Sequence, residues 1–137
     1  TRMHITLESD YAIRIVNCLC KSGVRMDARK ISESTGVTLR FALKILRKLV
    51  ASGIVKSFKG TQGGYELAKE PKDITLKEVI ETVEGSYVLS RCLNPGFECT
   101  NDHSDGPCRF HKVFAEISRD VEKRLDSVTF ERPSSRT

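Results

Sequence analysis

Apolar residues along the chain fall into helical spacing first, then into a short alternating stretch, then into helical spacing again. Leu7, Tyr11, Ile15, Cys18 and Leu19 are spaced 4, 4, 3 and 1, which sets them on one face of a helix over residues 7–22. Thr6 is placed to cap that helix and Gly23 to end it. Glu8 and Asp10 fall in its first turn, where carboxylates suit the helix dipole. A helix of about two turns follows over Ala28–Thr35, closed by Gly36, and Thr38 then caps a longer one that runs to Ser52 and Gly53. Two helices joined by a tight Gly-containing turn predict a helix-turn-helix. In the second of them, Leu39, Ala42, Leu43, Leu46, Leu49 and Val50 make the apolar side. Arg40, Lys44, Arg47 and Lys48 cover the opposite side within about one quadrant.

After Gly53 the period shortens. Ile54–Phe58 and Tyr65–Ala68 read as two short strands joined by Lys59-Gly60-Thr61-Gln62-Gly63-Gly64, a Gly-rich basic turn. A hairpin directly after a helix-turn-helix is the wing of a winged helix, and its glycines let backbone approach DNA closely. A phosphate-cradling nucleotide loop would need a Gly-Lys-Ser/Thr ending and a following helix, and neither is present. Thr75-Leu76-Lys77-Glu78 is a capping box ahead of Val79, Ile80 and Val83, in a helix that Gly85 should end. A turn-rich stretch from Arg91 to Pro107 leads into a long helix over residues 108–128. Its apolar residues Phe110, Phe114, Ile117, Val121, Leu125 and Val128 are spaced 4, 3, 4, 4 and 3, a nearly heptad seam suited to pairing with another helix. The expected fold is mainly α with a small β-hairpin. A winged helix-turn-helix occupies residues 1–85, a cysteine-rich loop 86–107, a dimerisation helix 108–129 and a flexible tail 130–137.

Composition agrees with one folded domain plus a helical extension. In 137 residues, 39% are hydrophobic and 30% charged, which excludes a disordered or collagen-like chain. No apolar run approaches the ~20 residues of a membrane span, and the first residues show no signal-peptide pattern, so a cytoplasmic location and no membrane partner are expected. Charge changes the picture more. The net +5 divides unevenly: residues 1–70 hold 13 Lys+Arg against 6 Asp+Glu, and residues 71–137 hold 10 against 12. No Asp or Glu lies within 38–52, so pairing along the helix cannot account for its basic stripe. Double-stranded DNA is the expected partner. Thr38, Arg40, Phe41, Lys44, Arg47 and Lys48 are the candidate contacts on the second helix, with Lys59, Thr61, Gln62 and Gly63 at the wing. A homodimer would match a palindromic operator.

The cysteines add a second chemistry. Cys18 and Cys20 sit in the helical apolar stretch and read as small buried hydrophobes. Cys92-x6-Cys99-x8-Cys108-x2-His111 lies in the turn-rich segment and the helix after it. Five cysteines without a secretion signal argue against a disulfide framework. Three clustered thiolates suit zinc or an iron–sulfur cluster, and His111 is the nearest candidate for a fourth ligand. An enzyme using Cys108 and His111 as nucleophile and base would lack a third orienting group, so no enzyme is expected.

Several of these segments together resemble one family. Met3-His4-Ile5-Thr6 with Asp10-Tyr11-Ala12-Ile13-Arg14, Ile31-Ser32-Glu33 with Gly36-Val37, the wing Lys59-Gly60-x-x-Gly63-Gly64-Tyr65, and Ile74-Thr75-Leu76 with Val79-Ile80 look like the Rrf-two family of winged-helix transcription regulators, typified by NsrR and IscR. The match covers residues 3–128. The resemblance implies a homodimer with crossed long helices and an iron–sulfur cluster, 2Fe–2S or 4Fe–4S, that controls DNA binding in response to nitric oxide, redox state or iron–sulfur supply. It implies that Cys92, Cys99 and Cys108 are ligands. In NsrR-like members the fourth ligand is an aspartate from the other subunit, whose place Asp10 occupies; in IscR-like members it is a histidine, which His111 matches. Glu8 is a third option. The alternative keeps DNA binding and makes the same cysteines a zinc or thiol-oxidation site.

Overall fold

The computed structural model describes residues 5–85, 93 and 106–132. Helix α1 (Leu7–Ser22) starts at Thr6, whose hydroxyl accepts from the Ser9 N–H at 3.1 Å, and ends at Gly23 in the left-handed conformation. Helix α2 (Ala28–Thr35) is capped by Asp27 and closed by Gly36, and α3 (Leu39–Ala51) is capped by Thr38. Strands β1 (Val55–Phe58) and β2 (Gly64–Leu67) pair antiparallel with Val55 opposite Leu67 and Phe58 opposite Gly64. Helices α4 (Leu76–Glu84) and α5 (Arg109–Ser127) complete the described chain. The expected fold class, mainly helical with a two-stranded hairpin, is the observed one.

The core lies where α1 meets α2, α3 and α4, and α1 supplies its ridge. Ala12, Ile15, Val16 and Leu19 follow the i, i+3, i+4, i+7 spacing and are all buried, with Ile31, Val37, Leu46, Leu49 and Val79 in the same cluster. This ridge corrects the face expected from the sequence. Leu7 is 60% exposed and Cys18 half-buried outside the core, whereas Cys20 packs against it. On α3 the buried face is Ala42, Ile45, Leu46 and Leu49, so Ile45 replaces the expected Leu39 and Leu43, which are exposed. An apolar spacing rule assigns leucines inward by default. Here α1 and α4 reach only one side of α3, and the flanking leucines are left in solvent.

The α5 seam divides in the same manner. Its C-terminal half packs on α4 with Val121 and Leu125 half-buried, and Lys77 Nζ meets Glu122 Oε1 at 2.9 Å. Its N-terminal half leaves Phe110, Val113, Phe114 and Ile117 exposed, Phe110 by 55%. Beyond α5 the expected flexible tail begins too early. Phe130 is 8% exposed, and its N–H lies within bonding distance of Pro71 O and Ile74 O, at 3.1 and 3.0 Å. An aromatic ring that can reach the core is worth more buried than a frayed end gains in entropy.

The hairpin is not an independent pair of strands. Met26, in the turn before α2, bonds to Tyr65 through both backbone groups, at 2.9 and 2.7 Å, so a third extended segment flanks β2. Gly64 permits this approach. Its φ is +143°, and a Cβ there would stand 2.6 Å from Met26 O. Gly64→Ala is therefore expected to cost about 2–4 kcal/mol in chemical denaturation. A cost below about 0.5 kcal/mol would show that the wing can leave Met26 freely.

Candidate nucleic-acid interface and metal centre

The candidate reading face of α3 is the side the core leaves uncovered. Arg40, Leu43, Lys44 and Arg47 are exposed, with Leu43 at 40% set among the three cations. Sequence reasoning missed Leu43 and Leu39 here because an apolar residue on a basic helix reads as core. Three further expected contacts also make bonds within the fold. Lys48 is half-buried and its ammonium lies 2.7 Å from Glu8 Oε1 of α1. The absence of acids within α3 concealed this pair, because its carboxylate comes from another helix. The half-buried Phe41 ring packs edge-on against Tyr11, with centroids 5.4 Å apart, and so seats α3 on α1. Thr38 is exposed but uses its hydroxyl to accept from the Phe41 N–H.

At the wing, Lys59, Thr61 and Gln62 are exposed around the turn that Gly63 closes by donating to Gly60 O at 3.0 Å. One residue that no spacing rule could find holds this tip. Arg25 lies 3.4 Å over the Phe58 ring, donates to Gln62 O at 3.0 Å and pairs with Glu66 at 3.6 Å. A planar guanidinium can stack and donate at once, which suits it to clamp a hairpin.

The expected metal ligands are only partly in view. Cys92 and Cys99 lie outside the described residues. Cys108 stands half-buried as the N-cap of α5 with its thiol making no cap hydrogen bond, and His111 is exposed one turn later. Among the described residues no three His, Cys, Asp or Glu side chains gather. Glu8 is committed to Lys48, which sets it below the other fourth-ligand candidates. Asp10 is accessible, with its carboxylate 3.0 Å from Arg14 Nε. Arg14 also donates to Thr35 O at 3.4 Å, at the end of α2. The donor chemistry fits a thiolate-bound cluster: an uncapped thiol, an exposed imidazole and a carboxylate held by a single weak ion pair are all available to a metal. Burial raises the Cys18 and Cys20 thiols above their ordinary range, so they are poor candidates for reactive thiolates.

A family model described as an iron-dependent transcriptional regulator matches residues 5–132. The chain belongs to the Rrf2 family. An rrf2-like HTH-type transcriptional regulator of Rhodobacter capsulatus is 31% identical over 134 residues, 93% of this chain and 89% of that protein. The solved IscR of T. potens superposes with a TM-score of 0.72 at 25% identity, covering 93% of this chain and 83% of the other. CymR, the global cysteine regulator of B. subtilis, superposes with a TM-score of 0.74 at 25% identity and covers 95% of both chains. These relatives are Rrf2-type transcription regulators with the same winged-helix architecture, and no described helix is long and apolar enough to cross a membrane.

The clamp can be tested by itself. Arg25→Ala should leave the core intact and speed hydrogen exchange of the Gly63 amide about tenfold, through loss of roughly 1–2 kcal/mol of cation–π and hydrogen-bond energy. Unchanged exchange would place the order of the tip in the hairpin alone.

Proposed function

We propose that this Rrf2-family chain is a dimeric DNA-binding regulator whose affinity is set by an iron–sulfur cluster. The observation that carries the DNA half is the exposed row Arg40, Leu43, Lys44 and Arg47, with Lys59, Thr61 and Gln62 on a wing that Arg25 holds in place. The cations meet phosphates and acceptor edges of bases, and Leu43 offers an apolar contact of the kind thymine methyls provide. Two-fold pairing through the exposed Phe110, Val113, Phe114 and Ile117 of α5 would cover an apolar surface otherwise left in water and would match a palindromic operator. A cytoplasmic location goes with this role.

Cys92, Cys99 and Cys108 would hold the cluster, with Asp10 from the other subunit or His111 as the fourth ligand. A bound cluster supplies a site where nitric oxide, oxidation or loss of iron can act. Asp10 gives that event a path through protein groups. A carboxylate drawn to a metal cannot also hold Arg14, and Arg14 is the side chain that reaches the end of α2 at Thr35. The pair is exposed, so breaking it costs at most ~1 kcal/mol, which suits a switch. The likeness to CymR supports a second reading, in which the same cysteines form a zinc or thiol-oxidation site.

Iron and sulfide counts and visible spectra of anaerobically isolated protein separate the two readings. Iron and sulfide in equal amounts with visible absorption are expected, and Asp10→Ala or His111→Ala should alter the spectrum of whichever supplies the ligand. A colourless, zinc-bearing protein would favour the second reading. DNA contacts are tested by salt-dependent titration. Arg47→Ala should flatten the salt slope by about one, whereas Lys48→Ala should leave the slope nearly unchanged and lower stability by up to ~1 kcal/mol. Equal slopes for the two variants would remove the distinction between them.

A further inference from the structure

A cleft of about 500 Å³ opens between α1 and α2, and its lining holds two cations, Arg14 and Lys21, and no carboxylate. Arg14 marks one end, where its Nη1 donates to Thr35 O of α2 at 3.4 Å. Lys21 lies seven residues on, in the last turn of α1. Cys18 stands between them, with its Sγ 3.8 Å from Met26 Sδ and the Ser34 side chain hydrogen-bonded to its thiol. Lys21 and the Asn17 amide make no side-chain hydrogen bond or ion pair among the described residues. We propose that this cleft binds a short aliphatic dicarboxylate, with one acid group at Arg14 and the other at Lys21.

A concave surface lined by charge of one sign concentrates its field and draws the opposite charge. Arg14, Asn17, Cys18 and Lys21 follow the i, i+3, i+4, i+7 spacing of one helix face. Side chains on a helix all lean toward its N-terminus, so the two cationic heads keep roughly the 10 Å axial separation of their backbones. A charge-assisted bond of ~2.8 Å at each end leaves about 5 Å between the acid groups, which a chain of roughly four or five carbons spans. A monocarboxylate satisfies one cation and leaves the other bare, and inorganic phosphate is too short to meet both. The Cys18 and Met26 side chains offer the aliphatic middle an apolar contact, and the Asn17 amide offers it a donor. Asp10 meets Arg14 from outside the lining at 3.0 Å and offsets part of its charge. A guanidinium carries five N–H donors, so Arg14 has donors left for a ligand, and Lys21 carries the selectivity for the second acid group.

Arg14 gives the site its consequence. A carboxylate there shares the guanidinium with Asp10 and with the carbonyl of Thr35, the last residue of α2 before the turn into α3. Ligand binding therefore changes the hold on α2 at the end nearest the reading helix, and DNA binding reciprocally changes the affinity for the ligand. This consequence, though not the binding, rests on the DNA-reading role proposed above.

Succinate, glutarate, butyrate and inorganic phosphate are each titrated calorimetrically into the full chain at constant ionic strength. One equivalent of succinate or glutarate is expected, bound about tenfold more tightly than butyrate or phosphate. Lys21→Met should abolish that preference while leaving butyrate binding as it was, and Lys21→Arg should restore it, with circular dichroism confirming that each variant is folded. No heat of binding at millimolar dicarboxylate, equal affinity for glutarate and butyrate, or binding indifferent to Lys21→Met overturns the site. A Lys21→Met variant that loses only DNA affinity, in a chain that takes up no dicarboxylate, would assign the cleft to DNA phosphates and overturn the proposal. Fluorescence anisotropy with duplex DNA should show a roughly fivefold change in affinity at saturating glutarate, absent in Lys21→Met. Binding without that change overturns the coupling to α2. A folded chain that binds no DNA would overturn the DNA-reading role and the coupling built on it, while the calorimetry is read independently of both.

Discussion

One ridge organises the molecule. Ala12, Ile15, Val16 and Leu19 on α1 are at most 2% exposed, and α2, α3, α4 and β2 all pack against this helix. Burial of each large aliphatic side chain is worth about 1.5–3 kcal/mol, more than any polar contact the helix makes. The orientation of everything else is therefore measured from α1. Its first turn sits where other helices converge, and polar groups there become ties between them: Glu8 to Lys48 on α3 and Ser9 to Glu84 on α4 at 2.6 Å.

Those ties sort the charges of the basic half into two kinds. Lys48 is drawn into an ion pair that holds α3 against α1, and Arg25 is spent on the wing. Arg40, Lys44 and Arg47 form no ion pair among the described residues, Lys44 lying 5.6 Å over the Phe41 ring, and all three are exposed to meet a polyanion. A net charge of +5 on the whole chain therefore understates the reading face and overstates the number of cations available to it. The same sorting applies to sulfur. Cys20 packs on the core with its thiol donating to Phe130 O at 3.2 Å, Cys18 faces a cavity, and Cys108 stands uncapped at the head of α5.

Local chemistry made most of the fold legible in advance. Thr6, Thr38 and Thr75 cap the helices they were expected to cap, because a side-chain cap and a following glycine act within four residues. What the sequence hid were effects decided by distant partners. Ile45 is buried and Leu43 exposed because α1 approaches α3 from one side only. Phe130 is core rather than tail because Pro71 and Ile74 offer it backbone acceptors from across the chain. Arg25 and the Met26–Tyr65 pairing depend on a turn folding back onto a hairpin some forty residues later, and no periodicity encodes that. Three cysteines and a histidine mark a candidate soft-metal site in the sequence, but the choice of fourth ligand among Asp10, His111 and Glu8 is not legible there. The pairing of Glu8 with Lys48 at 2.7 Å leaves it third.

Helix α2 is held differently at its two ends. At its C-terminal end Arg14 donates to Thr35 O at 3.4 Å while paired with Asp10. Before its N-terminal end Met26 is locked to Tyr65 by two backbone bonds. These holds differ in strength. An exposed, long hydrogen bond from a paired guanidinium contributes well under ~1 kcal/mol, whereas the two short backbone bonds contribute about 1–3 kcal/mol in sum. A change at Asp10 would thus loosen α2 gently at the end nearest α3. A shift of the Met26 backbone must carry the wing with it, since both of its backbone groups are bonded to Tyr65. Helix α3 and the wing are therefore coupled both through α2 and through α1, which packs against α2, α3 and β2 alike.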